Sequence, residues 1–198
     1  MRQKLIFEEI ANELVFQPRF WVKWLIGGAL SFIPIVNILA FGYLYRFSVQ
    51  SRRTGKMALP EWGDWSRLFA DGVKFTVIWI VYWALPLLLA FMLAMFLSSI
   101  GLYVMAHLLI SATFFLTSVF FCAALYRFLI DSDYGALLEV GRIARMSRAG
   151  FPACILPTFV FAGIFVLLLP LYGFVFFTGF LLLIAQLNSC YRSFESKR

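Results

Sequence analysis

Charge is missing from most of this chain. All seventeen Lys and Arg residues and all ten Asp and Glu residues fall in four short blocks, 1–23, 46–74, 127–148 and 192–198. The stretches between them, 24–45, 75–126 and 149–191, carry no formal charge and are dominated by Phe, Leu, Ile, Val and Ala. Soluble domains carry about 25% charged residues. This chain carries 14%, with 63% apolar residues and a mean hydropathy of +0.89, more apolar surface than a soluble core of this length can hide. The pattern is that of helices whose solvent is lipid.

Other scarcities exclude whole classes of chemistry. There is one histidine, His107, and the charge-free stretches hold no Asp, Glu, Lys or Arg. Paired carboxylates, or a nucleophile with a base and an orienting acid, are therefore not available within the bilayer. The three cysteines, Cys122, Cys154 and Cys190, show neither CxxC spacing nor an even count, which excludes a disulfide framework or zinc site. No secretory signal is expected, because residues 1–15 alternate charged and apolar side chains. The net charge of +7 would suggest nucleic acid in a soluble protein. Here the cations flank apolar runs, so the expected partners are anionic membrane lipids and not nucleic acid.

What is present defines a topology. A crossing needs about 20 apolar residues. The run 75–126 exceeds twice that length and should cross twice, turning at Ser98-Ser99-Ile100-Gly101. The run 149–191 should also cross twice, with Pro170-Leu171-Tyr172-Gly173 as its break. A hairpin returns to the side it left, which puts blocks 46–74, 127–148 and 192–198 on one face. Those blocks hold thirteen of the seventeen cations, so that face is cytoplasmic by the positive-inside rule.

The run 24–45 admits two solutions. One is a single crossing, which would put Arg2, Lys4, Arg19 and Lys23 outside. The other is a re-entrant hairpin broken at Pro34, with Pro34-Ile35-Val36-Asn37 as its tip and Gly27, Gly28 and Ser31 allowing close helix contact. Re-entry is the favoured reading, because it keeps those four cations on the face that holds the others, while a partial repeat, Leu44-Tyr45-Arg46-Phe47 and Leu125-Tyr126-Arg127-Phe128, argues for the full crossing.

The charged blocks carry helical patterns of their own. Trp62, Trp65, Phe69 and Val73 recur at helical spacing after Pro60, the signature of an interfacial helix anchored by two tryptophans. Phe7, Ile10 and Leu14 line one face of an N-terminal helix, with Glu8, Glu9, Asn12 and Glu13 largely opposite. A third helix is expected from a cap among residues 131–133 through Leu137, Val140, Ile143 and Met146.

The run from Ile26 to Asn37, followed by Gly42-Tyr43-Leu44-Tyr45-Arg46, Leu59-Pro60-Glu61-Trp62-Gly63-Asp64-Trp65, Leu68-Phe69 and Asp71-Gly72-Val73-Lys74, resembles a prokaryotic membrane family. That family is catalogued as domain of unknown function 4013. The likeness is clear over roughly residues 18–87. It implies a bacterial or archaeal multi-pass membrane protein without an established activity, and it brings no catalytic residues to carry over.

Candidate site residues are few. His107 with Ser111 one turn away is a thin basis for catalysis or cofactor ligation, since such side chains more often bond to helix backbone. Asn37, Gln186 and Asn188 are the polar groups that a solute path would use. The expectation is an all-α polytopic helical membrane protein, with four full spans, one re-entrant hairpin or fifth span, and interfacial amphipathic helices. No cofactor and no catalytic or metal site is expected. The expected role is a non-enzymatic scaffold or accessory subunit in a prokaryotic inner membrane, with a homo-oligomer or membrane-complex partner. The alternative is an oligomeric channel for a small solute.

Overall fold

The computed structural model describes the backbone of residues 2–195 and the side chains of residues 8–192. Phe7, expected on the buried face of the first helix, lies outside the described side chains, as does most of the 192–198 tail. Helices account for nearly all of the described chain: α1 Arg2–Val15, α2 Phe20–Ser31, α3 Asn37–Thr54, α4 Trp65–Trp79, α5 Leu85–Ser99, α6 Tyr103–Asp131, α7 Val140–Leu167 and α8 Tyr172–Glu195. A π-helical turn, Ile80–Ala84, joins α4 to α5 without a break. Short 3₁₀ turns, Tyr134–Leu138 and Leu169–Leu171, precede α7 and α8. No strand occurs among the described residues.

Four helical stretches are long and apolar enough to cross a membrane: Trp65–Ser99, Tyr103–Asp131, Val140–Leu167 and Leu169–Arg192. These are the four full spans expected from the charge-free runs. Their turns fall where Gly and Pro predict them. Gly101 takes φ 85 between α5 and α6, and Pro170 opens the 3₁₀ turn between α7 and α8.

The chain forms two compact units, one from the chain up to Thr76 together with that from Gly150 onward, the other Val77–Ala149. In the first, α8 is the axis. Phe180, Leu181, Leu183, Ile184, Ala185 and Leu187 are all buried, as expected of a helix that is apolar around its whole circumference. α1, α2 and α3 all pack on it. α2 runs antiparallel to α8, because Phe32 meets Tyr172 at one end and Trp24 donates to Thr178 Oγ1 further along. α3 runs parallel to it: Tyr43 meets Phe177, and Asn188 Nδ2 donates to Ser48 Oγ. Between α2 and α3, therefore, the chain reverses. The reversal is at residues 32–36, where Pro34 cannot extend a helix and Ile35 takes φ 74, a left-handed value that a β-branched residue rarely adopts. No continuous helix crosses 24–45.

Two glycines bring α4 against α3. A Cβ on Gly42 would overlap the Leu68 carbonyl oxygen, and one on Gly72 would overlap that of Ile38, so only glycine permits this approach. α1 buries Ile10 and Leu14, as its periodicity predicts.

The second unit is a helical hairpin, α5 with α6, closed by the 3₁₀ turn and the start of α7. Its buried stripe holds Trp83, Ala90 and Ala94 against Ala106 and the helix C-terminal to it, while Leu88, Leu89, Met92, Phe96, Met105 and Leu108 are exposed. Such a surface suits lipid.

Two boundaries differ from expectation. The interfacial helix expected from Pro60 begins only at Trp65 and runs straight on into the α4–α5 span. Residues 57–62 form no helix; the backbone of Met57, Leu59 and Pro60 bonds instead to the side chains of Glu13, Gln17, Lys23 and Tyr43. The helix expected between the second and third spans is split: Leu137 lies in a 3₁₀ turn, whereas Ile143 and Met146 belong to α7, which continues to Leu167. Leu137 and Ile143 are buried and Val140 is exposed, in keeping with the poorly defined apolar face of this stretch.

Candidate functional site

The densest polar chemistry lies at the root of the α2–α3 hairpin, where the segment 57–62 is strapped down. Glu13 lies in the last turn of α1 and Gln17 in the turn just beyond it, its side-chain amide also donating to the Glu13 carbonyl at 3.1 Å. Met57 N donates to Glu13 Oε1 at 3.1 Å. The Gln17 side-chain amide donates to the Met57 carbonyl and accepts from Leu59 N at 2.7 Å, so it pairs with the strap as a neighbouring strand would. From α2, Lys23 Nζ donates to the Leu59 carbonyl at 3.0 Å and pairs with Glu61 Oε1 at 2.7 Å. From α3, Tyr43 Oη donates to the Pro60 carbonyl at 2.9 Å. Arg46 donates to the carbonyls of Gly63 and Asp64 and to Asp71 Oδ2. Every polar backbone group of the strap that these residues reach would otherwise need water.

Burial makes this pairing consequential. Lys23 is 6% exposed, and an ammonium taken out of water has to be paired or hydrogen-bonded. Glu61 stays largely in solvent. Its hydrogen bond from Lys23 holds the carboxyl below the ordinary carboxylate value. The two tryptophans divide their roles. Trp62 stacks on Tyr43 with ring centroids 4.2 Å apart and donates its indole N–H to the Lys23 carbonyl at 3.2 Å. Trp65 and Phe69 are exposed on α4. Trp62 is part of the strap, and Trp65 stacks beside it with ring centroids 6.1 Å apart.

The polar residues expected to line a path are not brought together. Asn37 is half-buried at the start of α3, and Ser48, the partner of Asn188, lies roughly 16 Å further along that helix at 1.5 Å per residue. Asn188 is buried and its amide is used on the Ser48 carbonyl and hydroxyl at 3.3 and 3.2 Å. Gln186 is buried, and its Oε1 has no partner among the described residues. Both sit in the interior of the first unit.

His107, in the second unit, is exposed. Its Nδ1 lies 2.7 Å from the Tyr103 carbonyl, one turn back, so the ring turns away from Ser111. A shallow groove beside it, lined by Phe91, Ala94, Met95, Ser98, Ala106 and Ile110, encloses about 280 Å³. Ligand pockets run from about 300 to 1,000 Å³. Thr117 and Ser118 return their hydroxyls to helix carbonyls, the ordinary use of such residues in an apolar helix. A second polar knot closes this unit: Arg127 bonds Glu139 at 2.9 Å and Asp131 at 2.6 Å, and Arg142 bonds Glu139 at 3.1 Å. The bond from Arg127 holds the Glu139 carboxyl below its ordinary value.

These features define a polytopic helical membrane protein with a strapped helical hairpin. The chain belongs to the family described as Protein of unknown function (DUF4013), which matches residues 26–185. No curated protein and no solved structure matches it.

Proposed function

We propose that this protein is a non-enzymatic scaffold or accessory subunit of a membrane complex in a prokaryotic inner membrane, with its charged blocks cytoplasmic. One observation carries the topology: side chains at 13, 17 and 23 bond directly to residues 57–61. Segments that close cannot lie on opposite sides of a bilayer. The run 24–45 therefore enters and leaves on one side, and the cations of the first block join those of the other three under the positive-inside rule. The length agrees, since the 12 residues of α2 extend about 18 Å against about 30 Å of hydrocarbon. A broken helix at depth is tolerated where protein shields it, and α8 supplies that shield.

The partner-facing element in this reading is the hairpin tip. Ile33 is exposed, and Ile35 is 76% exposed at its left-handed backbone position. Backbone strain of this kind costs about 1–3 kcal/mol and concentrates at functional positions. The tip suits an apolar helix of a complex partner or a second copy, with membrane lipids around it.

A channel would require Asn37, Gln186 and Asn188 to face one lumen, and Asn188 instead holds α8 to α3. Reconstitution into liposomes tests the choice. A scaffold gives solute release equal to that of empty liposomes, for the native protein and for Asn37→Leu alike. Release by the native protein that Asn37→Leu abolishes would establish the channel.

A further inference from the structure

We infer that the segment 138–148 is a binding site for an anionic glycerophospholipid, whose phosphate is held by Arg145 and Arg148. Arg142, Arg145 and Arg148 recur every three residues at the start of α7, and all three are exposed. Arg142 is committed to Glu139. Arg145 has no acidic partner among the described residues, its Nε reaching only the Gly141 carbonyl of its own helix, and Arg148 has none either. Two guanidiniums one turn apart, with donors unspent, match the oxygens of a phosphodiester.

Both ends of the segment are tied to membrane level. At its N-terminal end the Leu137 carbonyl accepts from Tyr82 Oη, and Tyr82 lies well inside the charge-free run 75–126. At the other end Arg148 is the last charge before the run 149–191. Arg145 and Arg148 therefore stand at the charged end of a candidate span, where lipid headgroups meet it. The segment's apolar exposure agrees: Leu138 is 83% and Val140 57% exposed, next to the arginines. Apolar side chains beside basic ones are the composition of an interfacial element on anionic lipid.

The occupant is a lipid and not a free anion, because the acyl chains cover what the phosphate does not. The full-length protein, purified in a neutral detergent, is supplied with phosphatidylglycerol, with phosphatidylcholine, or with inorganic phosphate. Bound lipid is counted by native mass spectrometry and thermal stability is recorded. The native protein is expected to retain phosphatidylglycerol over phosphatidylcholine and to be stabilised by it, while phosphate has no effect. Arg145→Gln with Arg148→Gln should weaken retention roughly 30-fold, the loss of two headgroup cations. Arg145→Lys with Arg148→Lys should retain most of it. Arg67→Gln, which removes an exposed cation paired with Asp64 elsewhere, should leave it unchanged. Equal retention of the two lipids by the native protein overturns the proposal without recourse to any variant. So does undiminished retention in the double Gln variant, or equal stabilisation by inorganic phosphate.

Discussion

The two units of this molecule solve the membrane problem in opposite ways. In the unit Val77–Ala149, α5 with the π-helical turn before it buries only a narrow stripe, Trp83, Ala90 and Ala94, and the rest of α5 faces outward, whereas the C-terminal half of α6, from Thr117 to Leu129, is largely buried. Its long-range polar bonds are fewer: Trp83 donates to Ser118 Oγ at 3.3 Å, Tyr82 donates to the Leu137 carbonyl, and Arg127 pairs with Glu139. The unit built on α8 is mostly interior, and residues distant in sequence hold it together. Asn188 reaches Ser48, Trp24 reaches Thr178, and the strap at 57–62 is gripped from α1, α2 and α3. Bonds between residues distant in sequence are therefore denser in the α8 unit.

If that contrast holds, glycine substitutions should separate the units most sharply. Gly72→Val forces a side chain into the Ile38 carbonyl and should cost about 3 kcal/mol, the upper range for overpacking. Gly141→Ala in the other unit meets nothing within 4 Å and should stabilise its helix by about 0.5–1 kcal/mol. Denaturant unfolding in detergent reads both. Next in size is Trp62→Ala, which removes the Tyr43 stack and the bond to the Lys23 carbonyl. A cost of about 2 kcal/mol is expected, below the core value because Trp62 is half-buried, with faster tryptic cleavage after Lys56.

The smallest effect is one of pH, and it puts the units side by side, since Glu61 serves one and Glu139 the other. Both carboxyls are held below the ordinary 4.5 by hydrogen bonds from a cation. A depressed carboxylate contributes stability that is fully present above its unfolded value and is lost as pH falls through its native one. Native protein should therefore lose stability as pH drops from about 4.5 downward. Glu61→Gln and Glu139→Gln should each reduce that loss. Identical acid profiles for all three proteins would show that neither pair is formed in solution.

Much of the fold was legible because lipid imposes a simple rule. A charge-free run of sufficient length has to be helical and has to cross, so 75–126 and 149–191 declared four spans. The break at Pro34 and the turns at Gly101 and Pro170 followed from backbone chemistry. The start of the fourth helix was misplaced because Pro60 is a good first-turn residue. Nothing local reveals that Lys23 and Tyr43 take up the Leu59 and Pro60 carbonyls and that this stretch forms no helix. The strap was missed for the same reason. Glu13 belonged to the polar face of α1 and Lys23 to a basic flank, and both are ordinary surface assignments until the chain folds back. The one local signal was Glu13 with Gln17 at i, i+4, a pair of side chains able to present donor and acceptor to a passing backbone. Asn188 read as a lumen or headgroup residue because its partner at Ser48 is remote in sequence.

Topology at the hairpin is the claim on which the rest depends, and cysteine accessibility reads it directly. With Cys122, Cys154 and Cys190 replaced, Glu9→Cys and Thr54→Cys are placed singly on either side of 24–45, and intact cells are exposed to a membrane-impermeant maleimide. Both positions should remain unlabelled until the membrane is permeabilised, and then label together. Labelling of Glu9→Cys from outside, with Thr54→Cys still protected, would mean that 24–45 crosses the membrane and that the strap does not form.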